Sequence, residues 1–470
     1  MKTHNSKTIL IAILLILTST INNLLAQISY LGQIAQYEDG IYGLRGPMGI
    51  SFSIDKKNLY VGSQYALAVF NYDEGTGQTD FVEAYRYQNN GHDGLHGVNC
   101  IKISPDDKFV YISAGDFNRL SLYKRNSSNG KLELLKIYID DQGVDGLRGA
   151  HELGITTDGK YLFVAAYNDA KISTFLRDTS TGLITYLHSI NRYDEGGIEW
   201  PEQLKLSRDD RFVYAVSNTD DKLNVYEINA ETGELNYKQS ISKVGSQWGF
   251  NVLEVSHDNK YLYLSGGSQV SIYRRDLQTG KLTLMKVFEN NEAGVSGLKS
   301  TYSMAVSPDD KYLYAITTDD TSFVTFSRNL TNDVFQFIES KPFMNYAGPN
   351  YGRSSTSLVC DNNFVFGTSY WEFKVHQARR NEPNGELTYE KQYYEGEGAT
   401  IDGLYNPISC CADEQRHMVF VSSYAHGISI FQRNDTTGKL IYKNVANACN
   451  QHSKMLSNIQ VTLQFRDFDF

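Results

Sequence analysis

Ser104-Pro-Asp-Asp-Lys-Phe-Val-Tyr111 is the phrase that decides the fold, because it returns in the same form at residues 53–60, 207–214, 256–263 and 307–314. A variant with Thr156 and Phe163 at its ends fills the gap between the second and fourth copies, and two degenerate copies end at Phe366 and Phe420. A second landmark keeps the same spacing. Turns of Thr-Gly or Asn-Gly type fall at Gly77, Gly130, Gly182, Gly233, Gly280, Gly385 and Gly438, with Asn332-Asp333 in the remaining place. Two signals with one period of roughly 50 residues define a repeat architecture, in which each unit buries its apolar faces against its neighbours.

Within one unit, short apolar or alternating runs lie between turn residues. Val98 to Ile103, Phe109 to Ser113, Leu120 to Lys124 and Leu132 to Tyr138 read as four strands. The Pro-Asp-Asp turn joins the first to the second, and the Asn-Gly or Thr-Gly turn joins the third to the fourth, since these residues readily adopt positive φ. The expected fold is all-β: a propeller of eight four-stranded antiparallel blades. Ile28 to Ala35 reads as a fourth strand closing the ring against the last blade. Leu440 to Val445 competes for that place, which leaves seven blades as the alternative.

Outward from the repeat, Lys2, His4 and Lys7 precede an apolar run from Thr8 to Leu17, and Leu24-Leu25-Ala26 precedes Gln27. This is the order of a secretory signal peptide cut after Ala26, which predicts a secreted protein, extracellular or periplasmic. The expected division is 1–26 signal peptide, 27–446 propeller and 447–470 an unassigned tail. No other segment is long and apolar enough to span a bilayer. The net charge of −10 argues against a nucleic-acid partner, which would select for surplus Lys and Arg. Five cysteines make no disulfide scaffold, although export would permit one bridge from Cys449 to Cys410 or Cys411. Asn126, Asn329 and Asn434 head Asn-X-Ser/Thr sequons, all in the turn between third and fourth strands. A closed ring needs no partner chain to fold, so a monomer is expected.

The blade connections and the loops between second and third strands emerge on one face. That face is acidic: Asp39, Asp93, Asp145, Asp194 and Asp402 lie between blades, and Asp116, Asn118, Asn168, Asp169, Asp220, Asp221, Asp319 and Asp320 lie in inner loops. These residues serve turns, or they grip a cation or hydroxyl-rich ligand. No stretch has the dense Asp spacing of an EF-hand, so neither a metal nor a cofactor is assigned. A basic column of Arg45, His96, Arg148 and Lys299 follows the interblade phrase. Three positions on, a second column carries Met48, Asn99, His151, Glu202, Asn251 and Tyr302. Polar residues where a buried strand would carry Val or Ile predict a wet, converging surface at the channel mouth. Tyr167, Tyr370, Trp371 and Tyr424 add aromatic groups from the inner loops.

The repeated phrase, with the Tyr-Arg-Arg-Asp-Leu-Gln-Thr-Gly-Lys-Leu pattern at 273–282, resembles the lactonase-type β-propellers, the family of 6-phosphogluconolactonase and carboxymuconate cyclase. The resemblance covers nearly the whole chain. Gly149-Ala-His-Glu-Leu-Gly154 is similar to the family's histidine-bearing strand, which implies a catalytic role for His151. Other positions depart from the family pattern. Trp200-Pro-Glu-Gln203 stands where Gly-Pro-Arg-His is expected, Ser217-Asn218 where Asn-Glu is expected, and Ser265-Gly266-Gly267 where Ser-Asn-Arg is expected. Loss of two guanidinium groups removes the obvious means of holding a carboxylate or phosphate.

Two functions follow as expectations. The first is a secreted binding module taking a glycan, peptide or partner protein on its loop face, with Tyr370 and Trp371 as contacts beside Arg45, His96, Asn99, Arg148, Asn251 and Tyr302. The alternative is a hydrolase or isomerase acting on a sugar-derived lactone at the channel mouth. There His151 is the general base, Glu202 the acid or orienting group, and Arg148 and Arg45 the electrophilic support.

Overall fold

In a computed structural model of the chain, the structure describes residues 29–35, 47–72, 79–217, 219–242, 252–342, 355–360, 363–369, 374–381, 384–394, 407–413, 418–423 and 427–432. Eight four-stranded antiparallel sheets account for every strand in them. The first strands of blades 1 to 8 are Pro47–Phe52, Val98–Ile103, Ala150–Ile155, Pro201–Leu206, Val252–Val255, Thr301–Val306, Ser355–Cys360 and Pro407–Asp413. Successive first strands neighbour one another, and that of blade 8 packs back on that of blade 1, so the blades form a closed ring. Eight blades are therefore present, and not seven. Ser29–Ala35 supplies the outer strand of blade 8 by pairing with Gly427–Gln432. This completes the last blade with a strand that precedes the first, and leaves each first strand as a short inner edge of its own sheet. The fourth strands of blades 4 and 6, Leu235–Ser242 and Phe335–Pro342, are half-exposed, as expected of the rim.

The two sequence landmarks meet in space. The tyrosine that ends the phrase in one blade is buried between blades, where its hydroxyl donates to the glycine carbonyl of the next blade's outer turn. Tyr60 reaches Gly130 at 3.2 Å and Tyr111 reaches Gly182 at 2.6 Å. The same hydroxyl accepts from an arginine at the end of the next blade's third strand, at 2.9 Å from Arg125 and 2.7 Å from Arg177. Those guanidinium groups also reach the phrase's carboxylates, Asp107 at 2.7 Å and Asp106 at 3.1 Å. Gly182 is in the left-handed region at φ 74°, and an added Cβ would collide with the Phe109 ring, so this turn requires glycine on both counts. The Ser-X-Asp opening is local: Ser104 Oγ donates to Asp106 and accepts from the Phe109 amide at 2.9 Å, closing the first turn.

Asn126 and Asn329 also hold turns. Each side-chain oxygen accepts the amide two residues on, at 2.9 Å. Among the described residues no two cysteines are bridged to one another, and Cys449, one half of the expected bridge, lies outside them. No helix among the described residues is long and apolar enough to cross a membrane. The segments read as signal peptide and tail, and the sequon at Asn434, also lie outside them.

Candidate active site

Simple alternation does not account for the second column. In seven first strands the register slips across the second residue, between Val98 and Cys100, Ala150 and Glu152, and Pro201 and Gln203 for example. Met48, Asn99, His151, Glu202 and Tyr302 are five of the seven bulge residues. A bulge releases its residue from the in-and-out alternation of the strand and re-aims the side chain, which is how a polar group can sit at the top of an otherwise apolar strand.

Two of the polar bulge residues reach across to the next blade. Asn99 Nδ2 donates to the Ala150 carbonyl at 3.1 Å, and His151 Nδ1 lies 2.9 Å from the Glu202 carbonyl oxygen. Asn99, His151 and Glu202 thus form an arc over blades 2, 3 and 4. A carbonyl only accepts, so Nδ1 carries the hydrogen, and in the neutral ring Nε2 holds the lone pair. The His151 side chain is exposed, while Asn99 and Glu202 are half-buried. Tyr302 is 53% exposed on blade 6, away from this arc. Arg45, Asn251, Tyr370, Trp371 and Tyr424 lie outside the described residues.

From the basic column, Arg148 precedes His151 by three residues and is 57% exposed, its Nε 4.0 Å from Asp169. Asp169 also accepts the Arg148 amide at 3.0 Å, so the interblade turn is fixed by the inner loop of its own blade. Burial pushes the Asp169 carboxyl up despite that bond, and burial does the same to Asp140. Asp140, Asp145 and Asp169 bring one oxygen each within 4.8 Å of the others. Lys171 and the amides of Leu147 and Arg148 already engage them. His96 Nδ1 stands 2.9 Å from Asp116, in a ring of aromatic groups: Tyr65 at 4.8 Å, Tyr87 at 5.1 Å and Phe117 at 4.3 Å. Lys299 lies 3.7 Å from Asp319.

Two features escaped the sequence reading. Deeper in the first strands, Lys102 pairs with Glu152 at 3.2 Å and Lys205 with Glu254 at 2.9 Å. Cys100 and Glu152 push the Lys102 ammonium pKa up, and Glu254 does so for Lys205, which favours the charged form of both. The two lysines border a cavity of about 390 Å³ on the side of the Pro-Asp-Asp turns, walled by Leu153, Ile155, Leu204 and Leu206. Reading the columns one and three residues further would have found these pairs. The second feature is Trp200, whose ring stacks on Tyr167 at 5.5 Å with planes 30° apart. Its signal was a tryptophan where neighbouring repeats hold Gly97 and Gly149.

This is a propeller whose mouth holds a histidine with one ring nitrogen anchored and the other open. The family described as "Lactonase, 7-bladed beta-propeller" matches residues 43–198 and 190–296, more than half of the sequence. The chain belongs to the lactonase family, with eight blades where that description has seven. It is 25% identical over 224 residues to a 6-phosphogluconolactonase of Pectobacterium carotovorum, a match covering 46% of this chain and 62% of that protein. An uncharacterized Lactococcus lactis protein, YwcC, is 27% identical over 144 residues, covering 30% of this chain and 40% of its own. The chain thus spans less than two thirds of these relatives. The fold is shared with the periplasmic gluconolactonase PpgL of Pseudomonas aeruginosa, at TM-score 0.51 and 15% identity, covering 67% of this chain and 93% of that one. Saccharomyces cerevisiae Sqt1 superposes at TM-score 0.63 and 10% identity, covering 86% and 99%.

Proposed function

We propose that the chain hydrolyses a lactone at the channel mouth, with His151 as general base. Family membership favours this over the non-catalytic binding module, and the anchored tautomer of His151 is the observation that carries it. With Nδ1–H held by the Glu202 carbonyl, Nε2 takes a proton from water as its oxygen bonds to the lactone carbonyl carbon. The resulting oxyanion is met by the Arg148 guanidinium. The carbonyl re-forms, the ring C–O bond breaks, and the imidazolium returns its proton to the departing alkoxide, giving the hydroxy acid. Glu202 serves as an orienting residue through its backbone.

The site differs from a phosphate-binding one. Glu202 occupies the place of an expected arginine, and carboxylates border the mouth, so a neutral sugar lactone suits it better than a phosphorylated one. An unphosphorylated substrate also accords with export, which the N-terminal sequence favours. D-glucono-1,5-lactone, followed by acid release at constant pH against the spontaneous rate, tests the reading. Folded His151→Ala should lose about 10²–10⁴-fold in turnover. Full activity in that variant would remove His151 from the chemistry, and no activity in the wild type across unphosphorylated aldonolactones would return the function to the binding module.

A further inference from the structure

Trp200 holds a backbone conformation that its side chain disfavours. Immediately before the first strand the chain turns through the left-handed region, and blades 2 and 3 use glycine there, Gly97 at φ 67° and Gly149 at φ 66°. Blade 6 uses Ser300 at φ 58°. Blade 4 places Trp200 there at φ 45°. A bulky residue in that region is an outlier, disfavoured by about 1–2 kcal/mol. The indole does not recover this through full burial, since it is 39% exposed. Strain kept for an exposed side chain points to a role outside the fold's own stability.

The surroundings of the ring identify what it meets. Tyr167, from the inner loop of blade 3, stacks against it and extends the aromatic surface toward the blade that carries His151. Trp200 lies two residues before Glu202, whose carbonyl anchors His151. The adjacent Glu199 amide lies 3.3 Å from Asp220 Oδ2, and the local cations are committed to carboxylates: Arg192 to Glu199 at 3.4 Å and Lys222 to Asp220 at 2.9 Å. A flat aromatic face bordered by carboxylates suits a ligand with an apolar C–H face and hydroxyl donors at its edge. A neutral pyranose ring has both.

We propose that Trp200 and Tyr167 form a stacking subsite for a second sugar ring, so that the substrate class is the lactone of a di- or oligosaccharide. This rests on the lactone-hydrolase reading for the reacting ring, whereas sugar binding itself does not. Stacking of this kind supports about a tenfold preference. KM for cellobionolactone should therefore lie about tenfold below that for D-glucono-1,5-lactone, and Trp200→Gly, which restores the residue used by blades 2 and 3, should bring the ratio of the two KM values near one. Cellobiose, which has no lactone, should quench the protein's tryptophan fluorescence, and Trp200→Phe should remove most of that change. Equal KM values for the two lactones in the wild type, or cellobiose quenching that survives in Trp200→Phe, would overturn the subsite. Quenching by aromatic peptides without any by cellobiose would do so as well. Cellobiose binding through Trp200 in a protein that hydrolyses no lactone would overturn the catalytic reading and leave the sugar subsite standing.

Discussion

The joint between blades 2 and 3 and the joint between blades 3 and 4 solve the same packing problem in opposite ways. In the first, Arg177 is 1% exposed and donates to the Tyr111 hydroxyl, to the Gly159 carbonyl at 3.1 Å and to both Asp106 oxygens at 3.1 Å. In the second, the equivalent positions hold Ile228 and Phe163, both buried in one apolar cluster. Arginines of the first kind recur as Arg125, Arg275 and Arg380, and Arg328 pairs likewise with a phrase carboxylate, Asp258, while its Nε donates to Asp333. The joint closing the ring is apolar like the second, with Tyr72 edge-on to Phe420 at 5.4 Å. Both halves change together, which avoids leaving a buried cation without its acceptors. One of the two clamp-free joints, that between blades 3 and 4, joins the blades that carry His151 and Glu202.

The difference is sharpest when one half of a clamp is removed. Arg177→Met takes the charged donor from the buried Tyr111 hydroxyl and the Gly159 carbonyl and the cation from the exposed Asp106, and should destabilise the protein by about 3 kcal/mol in urea unfolding. A loss under about 1 kcal/mol would show that the clamps add nothing to the apolar packing around them.

The converse experiment builds a clamp where none exists. Ile228→Arg alone puts a guanidinium beside the Phe163 ring and should lower stability by about 2 kcal/mol. Asp158 occupies the place that Asp106 has in blade 2, already holding Thr156 Oγ1 at 2.6 Å and the Lys160 amide at 2.9 Å. Adding Phe163→Tyr supplies the missing hydroxyl acceptor and should recover about 1–2 kcal/mol as a coupling energy in a double-mutant cycle. Additive effects of the two substitutions would mean that the joints differ in more than these two residues.

The same contrast explains what the sequence disclosed. The phrase and its glycine turns repeat because they form one clamp used at joint after joint, so fold, blade order and strand positions were legible from Ser104–Tyr111 and its copies. The mouth is built from residues that each occur once. His151 was found because its column broke the apolar pattern, but its tautomer depends on a carbonyl 51 residues away, which no local pattern encodes. The bulge that re-aims it follows from pairing geometry, not from composition. Trp200 was visible as a departure from Gly-Pro-Arg-His, yet its meaning required the φ angle and the Tyr167 ring. Lys205 and Glu254 share one position in successive repeats, whereas Lys102 and Glu152 come from different ones, so only the first pair was open to a reading down a single column.

The smallest effect separates the two kinds of joint by pH. Burial alone would raise the Asp258 pKa, but hydrogen bonds from Arg328 and Ser256 outweigh it and hold the carboxyl down at about 2, below its ordinary 3.8. A carboxyl depressed by folding contributes stability that is fully present above about pH 4 and is lost as pH falls toward 2. With its partial exposure discounted, Asp258 should account for about 1 kcal/mol of that loss. Asp140 and Asp169, which burial raises, act in the opposite sense, so the comparison must be made between variants and not on the wild type alone. Asp258→Asn should be less stable than wild type at pH 6, with the two converging by pH 2. Ile228→Val, which trims the clamp-free joint without touching a charge, should keep a constant gap from wild type over the same range. Parallel curves for both variants would show that the clamp carboxylate does not titrate with unfolding, and that the two joints differ in chemistry but not in their response to acid.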